Sequence, residues 1–445
     1  MFRKIIAIVI LSVALKLNGQ MTGSFRYDDS LTYSLYTEKR WDDLISAGQS
    51  ALKNGHDYYY MRMRIGIAYN EKRNYAMSAL QFRKALALNA DDQIALEYLF
   101  YSYYLSGHTS QALALMSFFY PQNRERILKE YKIRKTRLTI ETFFSNSGTE
   151  EIISDPDSYF VDPEPGSQIV TQYFINNEIY ASHILGNRTS YFHSYTNLVK
   201  DNYLHYYDGT LTAHLFPQRI VQNQYYGSLS YYSSTGWIFS PSFHLLTTAY
   251  PVISISTAGM NTSVKTTSMR SNGYVAGIAI TKSMGFVIVG AEGGYSNLNN
   301  LQRAQGTISL VVYPRGNSDI YFGGKISAGK KLKNRSTTPA IVEGFTAGFS
   351  VAGKVWFEFS GLTGDMDYYT DNNGLYIYNS TDVIRNKLSG RIIIPIEKIG
   401  LTCFAGGGLS SYSSEFIPED GIISNNTNKL NYNSTNFTGG LSWNF

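Results

Sequence analysis

Three histidines and two serines are the residues of this chain whose types could support hydrolysis. His183, His193 and His205 fall on the second and third predicted strands, and Ser182 and Ser194 lie beside the first two of these histidines. A serine nucleophile needs a histidine base within hydrogen-bond reach and a carboxylate that orients the base. No serine, histidine and acid here have a recognisable motif spacing. We therefore expect no catalytic residues and no enzymatic activity.

Two acidic segments could in principle hold a divalent cation. The first contains Glu150, Glu151, Asp155, Asp157, Asp162 and Glu164, and the second contains Asp365, Asp367, Asp371, Asn372 and Asn373. Calcium needs about six to eight oxygen ligands at defined positions, and neither spacing matches a known calcium loop. The single cysteine, Cys403, excludes an internal disulfide and a thiolate zinc cluster. We predict no metal site and no cofactor.

The net charge indicates which partners to expect, and the N-terminal residues indicate the cellular location. The formal charge of +5 is small for 445 residues, and no basic block is present, so a nucleic-acid partner is not expected. Residues 1–19 have the charged, apolar and small-residue regions of a secretory signal peptide, with an apolar run from Ile5 to Leu15. That run is shorter than the roughly 20 residues of a membrane helix. We predict cleavage after Gly19 and a mature chain that begins at Gln20.

From about Leu31 to Arg137 the apolar residues recur with helical spacing, and the sequence matches itself at a period of about 34 residues. There are two clear copies of the repeat. The first runs from Ile65-Gly66-Ile67-Ala68-Tyr69 to Ala85-Leu86, and the second contains Leu96, Leu99, Tyr103, Gly107 and Ala112-Leu113. A partial unit at Trp41, Leu44 and Ala51-Leu52 precedes them. They resemble tetratricopeptide repeats, in which small residues let paired helices pack closely. The resemblance implies a helical repeat domain over residues 31–136.

At Arg137 the apolar period changes from about 3.6 residues to about 2, and the alternation continues to the C-terminus. Segments of about ten residues with one apolar face and one polar or glycine-rich face are typical of outer-membrane barrels. Because no later apolar run could form a membrane helix, membrane insertion must use strands. The predicted fold is α + β multidomain, with helical repeats followed by an antiparallel transmembrane β-barrel of about 14 strands over residues 137–445.

The connections between predicted strands alternate between short and long. Short turns are predicted at Gly186-Asn187-Arg188, Ser234-Thr235-Gly236, Met284-Gly285, Pro314 to Ser318, Ala352-Gly353 and Pro395 to Gly400. Long polar loops are predicted at Asn146 to Gly166, Asp208 to Gln218, Thr248 to Ser271, Asn297 to Gln302, Gly329 to Pro339, Thr363 to Asp382 and Ser413 to Asn433. Strict alternation predicts short periplasmic turns, long outer loops, and both ends of the barrel in the periplasm.

Charged residues on the predicted strands could face the lumen. The basic candidates are Lys325, Arg385, Lys387 and Arg391, and the acidic candidates are Glu292, Glu343 and Glu358. Two alternatives stay open for them: they line an aqueous pathway, or they pair across the lumen and close it.

The last strand ends in a pattern that the barrel assembly machinery recognises. Phe437, Gly439, Leu441, Trp443 and Phe445 share one face, and Gly440 to Phe445 resembles the glycine-x-x-aromatic-x-aromatic C-terminal motif of assembled barrels. The aromatic rings of Trp443 and Phe445 also suit a membrane interface. We predict that Gly440, Trp443 and Phe445 form the barrel-assembly signal.

The order of signal peptide, repeats and barrel resembles the YaiO-type outer-membrane β-barrel family with N-terminal tetratricopeptide repeats. The resemblance implies the Gram-negative outer membrane as location, with the helices in the periplasm. We expect a transport or export conduit whose repeats dock a periplasmic protein, with Tyr69 and Tyr103 lining the groove. The alternatives are a non-conducting outer-membrane anchor or scaffold for a periplasmic or surface assembly, and a barrel-type lipid hydrolase. For the helices alone, the alternative to a binding groove is a bundle that packs against the barrel mouth. Outer-membrane lipid and the assembly machinery are the other expected partners.

Overall fold

The computed structural model describes residues 24–131, 135–154, 165–207, 213–233, 235–258, 261–332, 338–418 and 429–445. The predicted signal peptide and four acids of the first acidic segment, between residues 155 and 164, lie outside these ranges. The chain divides into two compact units between Leu105 and Ser106. Among the described residues, no helix is long and apolar enough to cross a lipid bilayer.

The first unit consists of paired helices that recur every 34 residues. They are α1 (Phe25–Thr37), α2 (Trp41–Lys53), α3 (Tyr59–Glu71), α4 (Tyr75–Leu88) and α5 (Gln93–Leu105). The starts of α1, α3 and α5, like those of α2 and α4, are 34 residues apart, which matches the period of the sequence. The unit predicted as partial, around Trp41, is a complete helix pair.

Small residues let the helices of this unit approach each other. A Cβ atom on Gly48 would lie 2.6 Å from the Ile65 side chain, and one on Gly66 would lie 2.9 Å from the Phe82 ring. Leu44, Ile65 and Phe82 are fully buried. Burial of such side chains is the main stabilising term for short helices, which are marginal in water on their own.

Ion pairs on this unit predict how its stability depends on pH. Tyr58 and Arg64 donate hydrogen bonds to Asp29 and lower the pKa of that carboxyl, and Arg62 does the same for Asp57. A lowered pKa contributes stability above the ordinary carboxyl pKa of about 4, and this is lost as pH falls through the folded-state value. Burial and the bond to Asp29 raise the pKa of Tyr58 to about 12, so its contribution is lost as pH rises past that value.

We expect Asp29→Asn to lower the unfolding free energy of residues 24–105 by about 0.5–1 kcal/mol at pH 7, a small effect because the Asp29 side chain is 41% exposed. The difference from wild type should shrink towards pH 3, as measured by thermal unfolding followed by circular dichroism. Asp91→Asn, at an exposed carboxylate, is the matched control. A difference that stays constant from pH 7 to pH 3 would contradict the assignment.

Short helices also begin the second unit. They are α6 (Thr109–Ala114), a 3-10 turn (Met116–Phe118) and α7 (Pro121–Glu130). The Arg188 guanidinium, in the turn between the second and third strands, lies 5.0 Å from the centre of the Phe118 ring. Residues 106–131 therefore belong with the barrel, although they precede the change of period at Arg137.

Fourteen antiparallel strands close into a barrel. They are β1 (Thr136–Ser147), β2 (Gly166–Ile184), β3 (Thr189–Tyr207), β4 (Ala213–Tyr232), β5 (Trp237–Ala258), β6 (Asn261–Met284), β7 (Val287–Leu298), β8 (Leu301–Val312), β9 (Ile320–Lys331), β10 (Ala340–Val351), β11 (Val355–Gly364), β14 (Val383–Ile396), β15 (Leu401–Glu415) and β17 (Lys429–Asn444). The barrel closes because β1 pairs with both β2 and β17. The predicted strand number is confirmed.

Four short elements lie between the barrel strands. Helix α8 (Glu150–Ser154) follows β1, and β16 (Ile417–Pro418) adds to the end of β2. Strands β12 (Tyr369–Asp371) and β13 (Tyr376–Tyr378) form a separate two-stranded hairpin between β11 and β14.

Within the described residues, which leave out Ser234, the predicted short turns are confirmed, but two predicted long loops are not loops. Most of Thr248 to Ser271 is strand, because β5 and β6 continue as a two-stranded extension as far as Ala258 and Asn261. At Asn297 to Gln302 the strands are joined by Asn299 and Asn300 alone, whose φ values of 50° and 63° form a tight turn. Polar composition gave the wrong prediction in both places, because solvent-exposed strands and loops share it.

The outward face shows where the barrel meets the bilayer. On β8 the outward positions are Ala304, Gly306, Ile308, Leu310 and Val312, a length of roughly 19–22 Å along the barrel axis for a strand tilted by 35–45°. This matches the apolar band of an outer-membrane barrel. At the end away from the short turns the band stops at an outer polar row: Asn197, Asn223, Thr247, Asn272, Asn297, Gln302, Lys330, Glu343, Thr363, Asn386, Ser411 and Asn433.

Candidate functional site

The connection between β11 and β14 folds into the barrel instead of standing outside it. We call residues 365–382 the inserted hairpin; it contains β12 and β13. Its turn has left-handed backbone at Asn372, Asn373 and Gly374, with φ values of 52°, 55° and 83°. Asparagine and glycine tolerate this conformation best, so the local sequence supports a tight turn here.

The first limb of the hairpin is bound to β8 and β9. The Arg303 guanidinium donates to the carbonyl oxygen of Asp367, and the Lys331 ammonium lies 2.6 Å from the Asp367 carboxylate. Gln305 forms two reciprocal hydrogen bonds with the backbone of Thr370, at 2.6 and 3.2 Å. Ion pairs and hydrogen bonds to backbone groups therefore hold this limb against the barrel wall.

The tip of the hairpin reaches the opposite wall. The Asn373 amide N–H donates to Glu292 on β7 at 2.9 Å, and Ser242 on β5 donates to the Asn373 carbonyl oxygen at 2.7 Å. The ring of His244 contacts the Gly374 carbonyl oxygen at 2.8 Å. On β9 the Lys325 ammonium pairs with the Asp371 carboxylate.

The returning limb ends at a buried carboxylate. Asp382 is fully buried and accepts hydrogen bonds from Thr171 and Tyr432, and its Oδ1 lies 2.8 Å from the Lys200 ammonium. Burial alone would raise the pKa of Asp382, but Lys200 and the neighbouring hydroxyls outweigh it, so the pKa is lowered and the group is ionised. This cluster fixes the root of the hairpin to β2, β3 and β17.

Together these contacts carry the hairpin across the lumen. It leaves from β11 and returns to β14, and its partners lie on β3, β5, β7, β8 and β9. Apolar contacts add to the polar ones, since Met366 and Tyr369 pack on Val342 while Tyr368 and Ile377 pack on the cluster of Leu246, Val275 and Leu298. Within the described residues, the inserted hairpin crosses the outer half of the lumen.

At about the height of the hairpin tip, the lumen wall formed by β1, β2 and β14 is charged. Glu141 and Glu178 are register neighbours on β1 and β2, and Arg391 on β14 reaches the Glu141 carboxylate at 2.6 Å. Tyr376 projects from the hairpin towards these charges and is 44% exposed. Because the side chain is inside the barrel yet accessible, there is solvent-sized space beside the second strand of the hairpin.

The predicted lumen charges divide into three groups. Lys325, Lys387, Arg391, Glu292 and Glu358 face inward, where Glu358 accepts a hydrogen bond from Tyr321 at 2.5 Å and Lys387 lies 5.4 Å from the Tyr378 ring. Arg385 pairs with Asp365 at the hairpin root, at 3.0 Å. Glu343 faces outward in the outer polar row. Several inward charges pair with the inserted hairpin. The two alternatives from the sequence, charges that line an aqueous pathway and charges that pair across the lumen, did not include this arrangement.

The structure separates the predicted histidines from the serines beside them in the chain. His183 and His193 stack at 5.4 Å between ring centres on the outward face, whereas Ser182 and Ser194, as their chain neighbours on a strand, point inward. His205 lies twelve residues beyond His193 along β3, about 40 Å away at the rise of an extended strand. The described residues contain no group of three metal-ligating side chains.

The second acidic segment is part of the inserted hairpin, and its carboxylates are neutralised by the chain itself: Asp365 by Arg385, Asp367 by Lys331 and Asp371 by Lys325. In the first acidic segment, only Glu150 and Glu151 lie within the described residues, on α8. Cys403 is a partly exposed free thiol on the outward face of β15.

Tyr69 and Tyr103, the predicted groove residues, are nearly buried within the helical unit, at 7% and 6% exposure. Tyr69 packs on Ala51, Met61 and Ile65, and its hydroxyl accepts a hydrogen bond from Gln49 at 2.5 Å. Substituting either tyrosine would therefore change packing as well as any groove. Exposed aromatic side chains such as Tyr33 and Tyr60 are better probes of partner binding.

The C-terminal residues lie where the barrel closes. Trp443 is in register with Leu138 on β1 and with Leu401 on β15, and the Phe445 amide donates to the Thr136 carbonyl oxygen at 2.8 Å. A Cβ atom on Gly440 would lie 2.3 Å from the Ile140 carbonyl oxygen, so only glycine fits there. The three residues thus have a closure role besides their predicted recognition by the assembly machinery.

Sequence reasoning missed the insertion of the hairpin. One signal was available: two tyrosines stand on each side of Asp371-Asn372-Asn373-Gly374, and a solvated loop has no need of Tyr368, Tyr369, Tyr376 and Tyr378. Four tyrosines in a predicted surface loop indicate that the loop packs against something.

No protein-family model matches the chain, and no curated protein matches it. The YaiO-type and tetratricopeptide resemblances therefore stay predictions. Among solved structures, the toluene transporter TodX of P. putida aligns with a TM-score of 0.44 and 8% identity over 75% of this chain and 92% of that one. The toluene transporter TbuX of Ralstonia pickettii gives 0.44 and 8% over 70% and 90%, and a FadL homologue of Pseudomonas aeruginosa gives 0.44 and 8% over 75% and 92%.

Proposed function

We propose that the chain is an outer-membrane transport conduit that the inserted hairpin closes, with the helical unit as a periplasmic docking platform. The observation that carries the proposal is the polar, charged inner face, which a barrel that served only as an anchor would not need. A polar interior is typical of barrels with an aqueous pathway. The hairpin satisfies these groups in the closed state, so its withdrawal opens the pathway.

The contacts at the hairpin tip support its role as the moving part. The tip is attached through hydrogen bonds from Ser242 and His244, through its own bonds to Glu292 and to the Ser240 carbonyl oxygen, and through the Lys325–Asp371 ion pair. All of these are polar contacts that water can replace when the tip leaves. The root, by contrast, is fixed by the fully buried Asp382. A tip that exchanges its partners for water while the root stays in place fits a hinged gate.

A disulfide lock tests the gate. In a Cys403→Ser background, Asn373→Cys with Ser242→Cys ties the tip to β5, where the two residues are already 2.7 Å apart at their hydrogen bond. We expect oxidation to stop solute flux into proteoliposomes and reduction to restore it. The control pair, Ser360→Cys with Ser389→Cys, links two wall strands whose hydroxyls are 2.8 Å apart, and should leave flux unchanged in both redox states.

Two results would contradict this function. If the hairpin lock leaves flux unchanged, the pathway does not need the hairpin to move. If neither variant passes solute in either redox state, the barrel is the non-conducting anchor that is the alternative.

The orientation of the barrel in the membrane can be tested by labelling its two ends. Ser268, on the extension of β6, and Lys354, in the turn between β10 and β11, lie at opposite ends of the barrel. In the Cys403→Ser background we expect a membrane-impermeant maleimide to label Ser268→Cys on intact cells. Lys354→Cys should react only after the cells are lysed. The reverse pattern would place the short turns on the surface and the helical unit outside.

A further inference from the structure

A pocket of ≈ 360 Å³ lies on the outer wall of the barrel, across the sheet from the lumen. Its outward side chains belong to β3, β4, β5 and β6: Tyr195, Asn223, Tyr225, Leu245, Thr247 and Asn272. Three of them are members of the outer polar row, so the pocket lies where the apolar band ends. Because this wall faces the bilayer, its occupant comes from the membrane.

The pocket changes chemistry along the barrel axis. Its lower part is apolar and aromatic, with Tyr195, Tyr225 and Leu245 between 38% and 53% exposed. Its upper edge is an amide ladder: Tyr195 donates to the Asn223 side-chain oxygen at 2.8 Å, and Thr247 donates to the Asn272 oxygen at 2.9 Å. The amide oxygens are thus occupied, and the amide N–H donors of Asn223 and Asn272 remain for an acceptor.

Two arginines stand above this ladder on the same outward face. Arg270 is two residues beyond Asn272, in register with Ala249 on β5, and Arg219 is four residues beyond Asn223. Among the described residues, Asp201 lies beside Arg219, with its Oδ1 4.0 Å from the Arg219 Nε, while 69% of the Arg219 side chain stays exposed. Both guanidinium groups can therefore turn towards an anion at the membrane surface.

We propose that this pocket binds a phosphorylated lipid of the outer leaflet. An acyl chain packs on Tyr225 and Leu245, the polar linkage of the lipid accepts from the amide ladder, and its phosphate lies between Arg219 and Arg270. The protein presents apolar, amide and guanidinium groups in the order in which such a lipid presents acyl chain, linkage and phosphate. A planar guanidinium binds phosphate oxygens in a bidentate manner, which gives specificity beyond net charge.

The test measures lipid retention on the full chain, purified in a neutral detergent and mixed with diphosphoryl lipid A, by native mass spectrometry. We expect wild type to retain the lipid and Arg219→Gln with Arg270→Gln to weaken retention by about tenfold or more. Arg315→Gln, at an exposed arginine in a turn at the other end of the barrel, should retain it like wild type. Heat-modifiable migration on gels shows that each variant is a folded barrel.

Three outcomes would overturn the proposal. Equal retention by wild type and the double variant removes the arginines from the site. Equal weakening by Arg315→Gln shows that only net charge matters. Equal retention of phosphatidylcholine, whose phosphate is masked by a cationic group, shows that the pocket holds acyl chains without recognising phosphate. Retention is independent of flux, so this proposal and the gated conduit can fail separately.

Discussion

Removal of the inserted hairpin is expected to turn the closed barrel into a permanently conducting one. Replacing residues 366–379 by a short glycine and serine linker keeps Asp382 and its cluster, and the two ends lie close together because Thr363 and Asn386 are in register. Conductance through single refolded barrels should rise by roughly an order of magnitude, because ion flow follows the open cross-section. Planar-bilayer recording gives the measurement.

The deletion should also change ion selectivity. It removes Asp367 and Asp371, so Arg303, Lys325 and Lys331 lose their hairpin partners and face the lumen. Rings of basic side chains favour anions, so we expect anion-selective current. Adding Lys325→Gln and Lys331→Gln to the deletion should reduce this selectivity while the conductance stays high.

A second deletion controls for general damage to the barrel. Deleting residues 252–267 shortens the extension of β5 and β6. The deleted residues of these two strands pair only with each other and lie outside the apolar band. This variant should conduct like wild type. If the barrel without the inserted hairpin conducts no better than wild type, the hairpin does not close the pathway and the anchor function is favoured.

Loss of the last three residues is expected to abolish assembly. Deleting Trp443 to Phe445 removes the register of Trp443 with Leu138 and the backbone bonds between Phe445 and Thr136, so β17 cannot close against β1 at this end. An open barrel leaves unpaired backbone groups in lipid, each of which costs several kcal/mol. We expect the chain to accumulate in the periplasm, measured by fractionation and by loss of heat-modifiable migration.

One substitution separates recognition from closure. Phe445 is 66% exposed, so Phe445→Ala removes the terminal ring while the backbone bonds to Thr136 stay in place. If the assembly machinery reads this aromatic residue, Phe445→Ala should slow assembly several-fold. Ile399→Ala, at a residue 62% exposed in the turn between β14 and β15, is the matched control. Equal assembly rates for both variants would leave only the closure role.

The helical unit and the barrel could be predicted from the sequence because each depends on a local period. Side chains repeat every 3.6 residues in a helix and every 2 in a strand, so the change at Arg137 marks the start of the strands without any tertiary information. The 34-residue recurrence of helix pairs and the even number of strands follow from the same periodicity, read over longer distances. The turn residues located the short connections, because glycine and asparagine tolerate left-handed backbone.

Only the tertiary structure decided where the polar connections go. Thr248 to Ser271 continues as strand and Thr363 to Asp382 enters the lumen, yet both sequences are polar and unlike the alternating membrane segments. The partners that hold the second segment, such as Lys200, Glu292 and Lys325, are separated from it by 46 to 182 residues. A single sequence carries no sign of which distant charges will meet, because that depends on barrel closure and on the lumen that closure creates.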